Sequence, residues 1–455
     1  MLNTSVDRVA GWVDENLHPF GGIFLIGMAC TAYLAAVAWC WQHTSYDVWG
    51  MLLIAPALIA MTVPVVRRIA YDEADPAMVR LIICGLVVKL LMSLVRYFVA
   101  FSVYGGNADA GVYHEAGTAL AQLYRAGSFQ VGDAGSSGAA VIQVITGIIY
   151  TVTGPTKMGG FIVFSWLGFW GQYLLYRAFR IAVPEGDHRR YALLIFFLPS
   201  MTFWPSSIGK ESWMCFMLGI MAYGIARTLS GRRGGFLTLA LGIVGGALVR
   251  PHVVLILFVG VGVAYVLRRP TRRGLFGPAP KLIGIALLAV AGIGLLGRVQ
   301  TYFAPAGLEE GETTTDVLEI AQERTDEGGS AYDIIKPTSP RTYVMASVTV
   351  LFRPFPYEAP NIQARLSSLE SVIVAVLCLF AAPRLLYLIR RPRTASYAWL
   401  SLVYVSLFCY AFANIGNFGI LNRQRVQVLP FLFVLLCLPK TGTTAEVEEL
   451  QPSRA

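Results

Sequence analysis

The sequence predicts an all-α polytopic membrane protein. Hydrophobic residues make up 56% of the 455-residue chain and charged residues only 14%, whereas soluble proteins carry roughly a quarter charged residues. Apolar runs of about 17 to 25 residues recur along the chain, and a helix of that length crosses a bilayer. Lys and Arg cluster at the ends of these runs, which is typical of cytoplasmic loops.

About twelve apolar runs are candidate transmembrane helices. They lie at 20–41, 48–66, 81–104, 158–180, 191–208, 211–229, 234–250, 252–268, 279–297, 367–389, 396–414 and 424–439. All the basic clusters can lie inside only if both termini are cytoplasmic. We therefore expect a multi-pass protein of a bacterial-type cytoplasmic membrane. Its net charge of +9 is assigned to topology, and nucleic acid is not expected as a partner.

One apolar stretch, 139–154, is only about sixteen residues long, which is short for a crossing. If it crossed, the later basic loops would move to the outside. We therefore predict a re-entrant or juxtamembrane helix, which is tolerated where it lines a protein cavity.

These spans divide the chain into six parts. They are an interfacial N-terminal segment (1–19), two additional N-terminal transmembrane helices (20–80), a membrane core (81–297) with the outer loop 105–157, an extracytoplasmic acidic loop (298–366), C-terminal transmembrane helices (367–440) and a cytoplasmic disordered tail (441–455). The acidic loop has too few apolar residues to bury a core, so we expect a mobile lid.

Asp109 is the first candidate for chemistry, because it stands at the end of an apolar run, where an ionisable group is costly. On a helix that starts near Asn107, Asp109 and Tyr113 share a face. The Asp109 carboxylate either acts as a general base toward a hydroxyl acceptor or only caps the helix. Tyr113 is a candidate for substrate binding.

His114 is a weaker substrate-binding candidate, and Glu115 follows it directly. Adjacent helical residues point about 100° apart, so the two are not both expected to face the Asp109 site, and a solvated surface is the alternative. No metal site is assigned. A divalent cation held by Asp109, His114 and Glu115 stays open, because their spacing is not diagnostic.

Lys210 and Glu211 interrupt two apolar runs at a turn on the same side as Asp109. They either form a simple ion pair or act on a substrate. In the second case Lys210 binds a phosphate, and Glu211 orients the acceptor or a cation.

Arginines on the outer side form the third set: Arg250, followed by His252 two positions later, and Arg353, Arg423 and Arg425. Outer positive charges run against the charge bias of membrane proteins, so they need an anionic partner. A lipid-linked phosphate or diphosphate suits guanidinium groups, which bind phosphate bidentately. The alternatives are lipid headgroups or the acidic residues 309–333.

These motifs resemble those of the GT-C membrane glycosyltransferases, the superfamily of protein O-mannosyltransferases and lipid A aminoarabinose transferases. The resemblance covers about residues 81–230: a helix, an outer loop with DAGVYHEAG at 109–117, a short helix ending in LYRAGSF, a juxtamembrane helix and two further spans. Residues 81–297 are then a GT-C-like core. By this resemblance Asp109 matches the catalytic aspartate, and Glu211 matches a second acidic position that is more often Asp.

The resemblance implies an inverting glycosyltransferase. It would move a sugar from a polyprenyl-phosphate carrier to a cell-envelope glycan, lipid or protein acceptor on the extracytoplasmic face. Two alternatives remain: a polysaccharide polymerase or ligase acting on a lipid-diphosphate-linked glycan, and a transporter of lipid-linked glycans without enzymatic activity.

Overall fold

The computed structural model describes residues 19–73, 75–106, 108–129, 138–267, 290, 292–295, 297, 332–359, 362–391 and 395–440. Helices and the turns between them make up this part of the chain. Four expectations lie wholly or mostly outside it: the interfacial segment before residue 19, the span 279–297, the acidic loop as far as residue 331, and the tail 441–455.

The described helices follow one another along the chain, in the numbering used below. They are α1 (Pro19–His43), α2 (Tyr46–Asp72), α3 (Pro76–Phe98, continued by a π-helical turn Val99–Val103), α4 (Asp109–Arg125), α5 (Gly138–Thr153), α6 (Lys157–Ala182), α7 (His188–Phe197), α8 (Pro199–Phe203), α9 (Lys210–Leu229), α10 (Gly235–Ala247), α11 (Pro251–Leu267), α12 (Pro340–Phe352), α13 (Ile362–Ala381, continued by a 3₁₀ turn Ala382–Leu385), α14 (Leu386–Arg390), α15 (Ser396–Phe412), α16 (Phe418–Arg425) and α17 (Leu429–Leu436).

Among the described residues, four helical segments are long and apolar enough to cross a membrane. They are Tyr46–Asp72, Pro76–Val103, Lys210–Leu229 and Ile362–Arg390, and α5 with α6 supplies a fifth if the bent pair is one span. The apolar helices α10, α11 and α15 are shorter. These helices fit a helical membrane protein, but they do not support the twelve spans predicted from the sequence.

Two of the predicted spans show why apolar runs overstate the number of crossings. The run 191–208 is divided at Pro199 into α7, of 10 residues, and α8, of 5, because proline cannot continue the hydrogen bonding of α7. The run 424–439 contains α17, whose 8 residues are all buried. In both places apolar residues fill the interior of the bundle rather than a full bilayer crossing.

The predicted short helix at 139–154 corresponds to α5, which meets α6 at an angle of 114°. Such a bend is the geometry of a broken span or of a re-entrant loop. Helix α5 packs along α4, and the two approach closely, since a Cβ atom added to Gly117 would lie 2.6 Å from Cγ2 of Thr146. The polar helix α4 is therefore packed tightly along α5.

Helix α9 is the innermost of the four candidate spans, with 72% of its apolar window buried against 17–33% in the other three. It packs along α6 and α10. Gly219 lets it approach α6, because a Cβ atom there would lie 2.3 Å from the carbonyl oxygen of Gly171. The first turn of α9 is thereby placed inside the protein.

The outer surfaces of α2, α3 and α13 are apolar. Their exposed large side chains include Leu53, Ile59, Leu91, Phe98, Leu369 and Ile373. Extended apolar surfaces of this kind are unusual on soluble proteins, and they suit contact with lipid chains.

Candidate active site

A cavity of about 560 Å³ lies where α3, α4, α9, α13 and α16 meet. Its lining includes Arg96, Asp109, Glu211, Gln363, Asn422 and Arg423. Apolar residues such as Trp204, Ile208 and Phe418 complete the wall. One cavity therefore brings together both predicted acids and one of the predicted arginines.

Asp109 begins α4 but does not cap it, because the cap position is Ala108 and no side chain caps the helix. Instead, Asp109 Oδ2 lies 2.5 Å from Arg423 Nη2. The Asp109 side chain is 54% exposed, so one carboxylate oxygen is held while the group still faces solvent. The sequence predicted either a general base or a helix cap at Asp109, and the cap is not observed.

Glu211 lies in the first turn of α9, where the helix dipole favours a carboxylate. Its side chain is buried, and Oε1 lies 2.9 Å from Arg250 Nη2 and 3.3 Å from Arg423 Nη2. The partners of Glu211 are therefore two arginines distant in sequence, rather than its neighbour Lys210.

Arg423 joins the two acids, since its Nη2 contacts both Asp109 and Glu211. Asn417 fixes the start of α16 by accepting hydrogen bonds from the backbone N–H groups of Gly419 and Ile420 at 2.9 and 3.2 Å. The negative charges of Glu211 and Asp109 raise the pKa of the Arg423 guanidinium well above its usual value. Arg423 is thus a permanent cation in the wall of the cavity.

The site carries more positive than negative charge. Lys210 is half-buried and interacts electrostatically with Arg250, Glu211, Asp109 and Arg423. Two cations of the cavity lining (Arg96 and Arg423) balance its two acids (Asp109 and Glu211). Lys210 and Arg250 do not line the cavity, but they interact with these acids and add two formal positive charges beside it. Positive charge at this position favours an anionic ligand.

The side chains of Tyr113 and His114 point in different directions from α4, as expected for adjacent residues of a helix. Tyr113 is buried near the acids, and burial together with the charges of Asp109 and Glu211 raises its pKa. His114 lies in a second polar cluster, where Nδ1 is 2.9 Å from the Tyr150 hydroxyl and Nε2 is 3.6 Å from Asp47 Oδ1. Burial lowers the pKa of His114.

The polar cluster of His114 does not line the cavity. Lys157 completes it through an ion pair of 3.2 Å with Asp47 Oδ2, so the cluster joins α4 to α2, α5 and α6. Glu115 is exposed on the surface of α4. Within the described parts of the chain, no group of three His, Cys, Asp or Glu residues is arranged to hold a metal ion.

Six other predicted site residues lie outside the cavity lining: Tyr113, Lys210, Arg250, His252, Arg353 and Arg425. Arg353 forms two hydrogen bonds of 3.0 and 2.9 Å to the Glu358 carboxylate. Arg425 is buried and donates to Val350 O and Ser371 Oγ, both at 2.9 Å, and to Arg353 O; burial lowers its pKa to about 10.

Arg353 and Arg425 therefore stabilise the position of α16 without lining the cavity themselves. The guanidinium of Arg353 packs on the ring of Phe418, itself a wall residue, at 5.2 Å. His252 is half-buried at the start of α11, with its ring 6.0 Å from the ring of Phe412.

Arg96 is a cavity residue that sequence reasoning missed. It lies in α3, is 9% exposed, and its guanidinium packs against the rings of Phe203 and Trp204 at 4.7 and 4.8 Å. An arginine inside the apolar run 81–104 was a signal in itself, because ionised groups within spans are costly and usually face a cavity or a partner.

Lys89 is a second basic residue in the same run, and it too was missed. It is fully buried and donates to the carbonyl oxygens of Met201 and Thr202 at 2.8 and 3.3 Å. Lys89 thereby fixes the irregular segment between α8 and α9, which carries Trp204, Ser207 and Ile208 into the cavity wall.

No family model matches the chain, and neither a curated protein nor a solved structure matches it.

Proposed function

We propose that the protein is a membrane glycosyltransferase that moves a sugar from a polyprenyl-phosphate carrier to a hydroxyl acceptor. The observation that carries the proposal is the contact of Asp109 with Arg423 in the cavity wall, close to the two further cations Lys210 and Arg250. An acid that can take a proton and a cation that can hold a phosphate lie side by side, at the end of apolar helices.

The reaction is an inverting displacement at the sugar C1. The acceptor oxygen forms a bond to C1 while the bond from C1 to the phosphate oxygen breaks, and the electron pair leaves with the lipid phosphate. The acceptor proton goes to the Asp109 carboxylate, which acts as the general base. The half-exposed position of Asp109 lets an acceptor reach it from the solvent side.

Charge development on the leaving group explains the need for cations. A sugar phosphodiester carries one negative charge, and the released lipid phosphate monoester approaches two. The excess of two positive charges at the site offsets this increase in the transition state. Arg423 contacts the base directly. Glu211 contacts Arg423 and is itself paired with Arg250.

The lipid tail is assigned to the gap between α3 and α13. Both helices contribute to the cavity wall, through Ala100 and Tyr104 and through Gln363 and Ala364. Both also expose apolar side chains on their outer surfaces. A phosphate in the cavity would then have its tail continuous with the lipid-facing side of these two spans.

The basic clusters at the ends of apolar runs support a cavity on the extracytoplasmic side, with both termini in the cytoplasm. An acceptor on that side is a glycan, a lipid or a protein of the cell envelope. A divalent cation is not part of the proposed reaction steps.

One observation also favours a second function, the polymerase or ligase acting on a lipid diphosphate. A diphosphate diester carries two negative charges before reaction, which match the excess of two positive charges in the resting site. In that case the arginines would carry most of the catalysis, and Asp109 would serve mainly to hold Arg423.

The test is a transfer assay with the full chain in proteoliposomes. Polyprenyl-phosphate-linked radiolabelled mannose, glucose and aminoarabinose are supplied together with heat-treated cell-envelope extract as the acceptor source. We expect label in an extract component and release of polyprenyl monophosphate. Release of polyprenyl diphosphate from lipid-diphosphate donors would favour the second function, and movement of donor across the bilayer without covalent product would favour a transporter.

A further inference from the structure

Arg96 differs from the other described arginines at the site, because it lies in a buried position without an acidic partner. Arg250 pairs with Glu211, and Arg423 pairs with both acids. The side chain of Arg96 forms neither an ion pair nor a hydrogen bond with any residue that the structure describes, and its Nε is buried without a hydrogen-bond partner.

The surroundings of Arg96 hold the charge but leave its donors free. The rings of Phe203 and Trp204 contact the guanidinium through cation–π interactions, which use none of its N–H groups. The strongest of its charge interactions is the repulsion by Arg423, ahead of the attraction by Glu211 and Asp109. Both guanidiniums line the same cavity, so an anion bound between them would relieve their repulsion.

We propose that Arg96 and Arg423 together bind the phosphate group of a lipid phosphate. The side-chain N–H groups of Arg96, which have no partner among the described residues, then donate hydrogen bonds to this phosphate group. The inference rests on the proposed function, and it assigns Arg96 as the anchor of the substrate's phosphate group. A guanidinium presents its N–H donors in a planar fork that matches phosphate oxygens. The side-chain carbonyl of Asn422, also in the lining and without a hydrogen-bond partner among the described residues, is then left for a sugar hydroxyl.

The position of Arg96 supports a phosphate that is attached to a lipid. Arg96 lies on α3, whose neighbouring residues Val95 and Phe98 are exposed on the outer surface. An anion bound at Arg96 is therefore one helix width from the surface assigned to lipid chains.

The experiment measures equilibrium binding to the purified full chain in detergent micelles. The probes are farnesyl phosphate, farnesol, which lacks the phosphate, and inorganic phosphate, which lacks the lipid. The variants are Arg96→Gln, Arg96→Lys and, as a matched control, Arg80→Gln. Arg80 lies on the same helix but is exposed at its other end, so its removal changes net charge by the same amount.

We expect the wild-type chain to bind farnesyl phosphate more tightly than either farnesol or inorganic phosphate. Arg96→Gln should weaken that binding about 10- to 100-fold, the range for losing a charged hydrogen-bonding partner. Arg80→Gln should leave it within about twofold of wild type, because exposed charges at that distance are screened. Tighter binding of inorganic phosphate than of farnesyl phosphate would overturn the lipid assignment.

Equal binding by wild type and Arg96→Gln would overturn the proposal, and so would equal weakening by Arg80→Gln. If Arg96→Gln does not give a monodisperse protein, Arg96→Lys decides. A loss of about three- to tenfold is expected, since lysine keeps the charge but not the planar fork, and unchanged affinity would overturn the proposal. Binding through Arg96 without any sugar transfer would reject the proposed function alone.

Discussion

Arg423 Nη2 lies 2.5 Å from Asp109 Oδ2, although 314 positions separate the two residues in the chain. The same nitrogen lies 3.3 Å from Glu211 Oε1. A short helix near the C-terminus therefore closes a site whose acids come from the starts of two earlier helices.

Asp109→Asn should abolish base catalysis and leave the fold intact. We expect transfer to fall about 10²- to 10⁴-fold, because that is the usual contribution of a positioned general base. Thermal stability should change by no more than about 1 kcal/mol, since the Asp109–Arg423 pair is partly exposed. The measurement is the proteoliposome transfer assay, with unfolding in detergent followed in parallel.

The control for Asp109→Asn is Glu115→Gln, an exposed position on the same helix. It should keep transfer near the wild-type rate. Normal transfer by a folded Asp109→Asn protein would remove Asp109 from the chemistry.

Glu211→Gln should act mainly on stability, in contrast to Asp109→Asn. Both side chains of the Glu211–Arg250 pair are 5% exposed, and removing one partner of a buried pair costs about 3–5 kcal/mol. We expect a large fall in the midpoint of thermal unfolding in detergent.

The double variant Glu211→Gln/Arg250→Gln provides the comparison. It removes both buried charges, so it should recover part of the loss seen in Glu211→Gln. If the double variant is as unstable as the sum of the two single variants, the pair is not coupled as described.

His114 should make stability depend on pH. Burial lowers its pKa in the folded protein, whereas an unfolded histidine titrates near pH 6.5. Below about pH 6.5 the unfolded state therefore binds more protons, and the free energy of unfolding falls as pH falls toward the folded pKa. Asp47 and Glu115 oppose this effect, and Lys157 strengthens it.

The measurement is thermal unfolding between about pH 5 and pH 8, in wild type and His114→Gln. The variant should lose less stability on acidification than wild type does. His43→Gln, an exposed histidine in α1, serves as the control and should follow the wild-type profile. Identical profiles for wild type and His114→Gln would contradict the assignment.

Gly219→Ala tests whether close contact of α6 and α9 supports the site. The new methyl group would lie 2.3 Å from Gly171 O, a backbone atom, so the helices must separate. We expect a loss of about 1–3 kcal/mol, the usual cost of overpacking, measured by thermal unfolding. Gly262→Ala has open space around it and should be neutral or slightly stabilising.

Local residue patterns predicted several parts of the site and of the fold. Charged groups at the ends of apolar runs are energetically costly and need a partner, and this argument identified Asp109, Glu211, Arg250 and Arg423. The fold brings these four residues together. The short apolar run at 139–154 predicted the helix that bends against α6.

The number of crossings could not be predicted in the same way. Apolar content measures burial, and it does not distinguish burial in lipid from burial in protein, as the wholly buried α17 demonstrates. The same charge argument predicted Arg353 and Arg425 as site residues together with Arg423. In the structure, however, Arg353 pairs with Glu358, and Arg425 donates to a backbone carbonyl group. Only the three-dimensional packing determines which arginine faces the cavity.

The most direct test of the central claim is a density map of the protein with farnesyl phosphate bound. The account predicts phosphate density in the cavity, within hydrogen-bond distance of Arg96 and Arg423, with the tail leaving between α3 and α13. Phosphate density elsewhere on the protein, or a cavity that stays empty at saturating ligand, would contradict it.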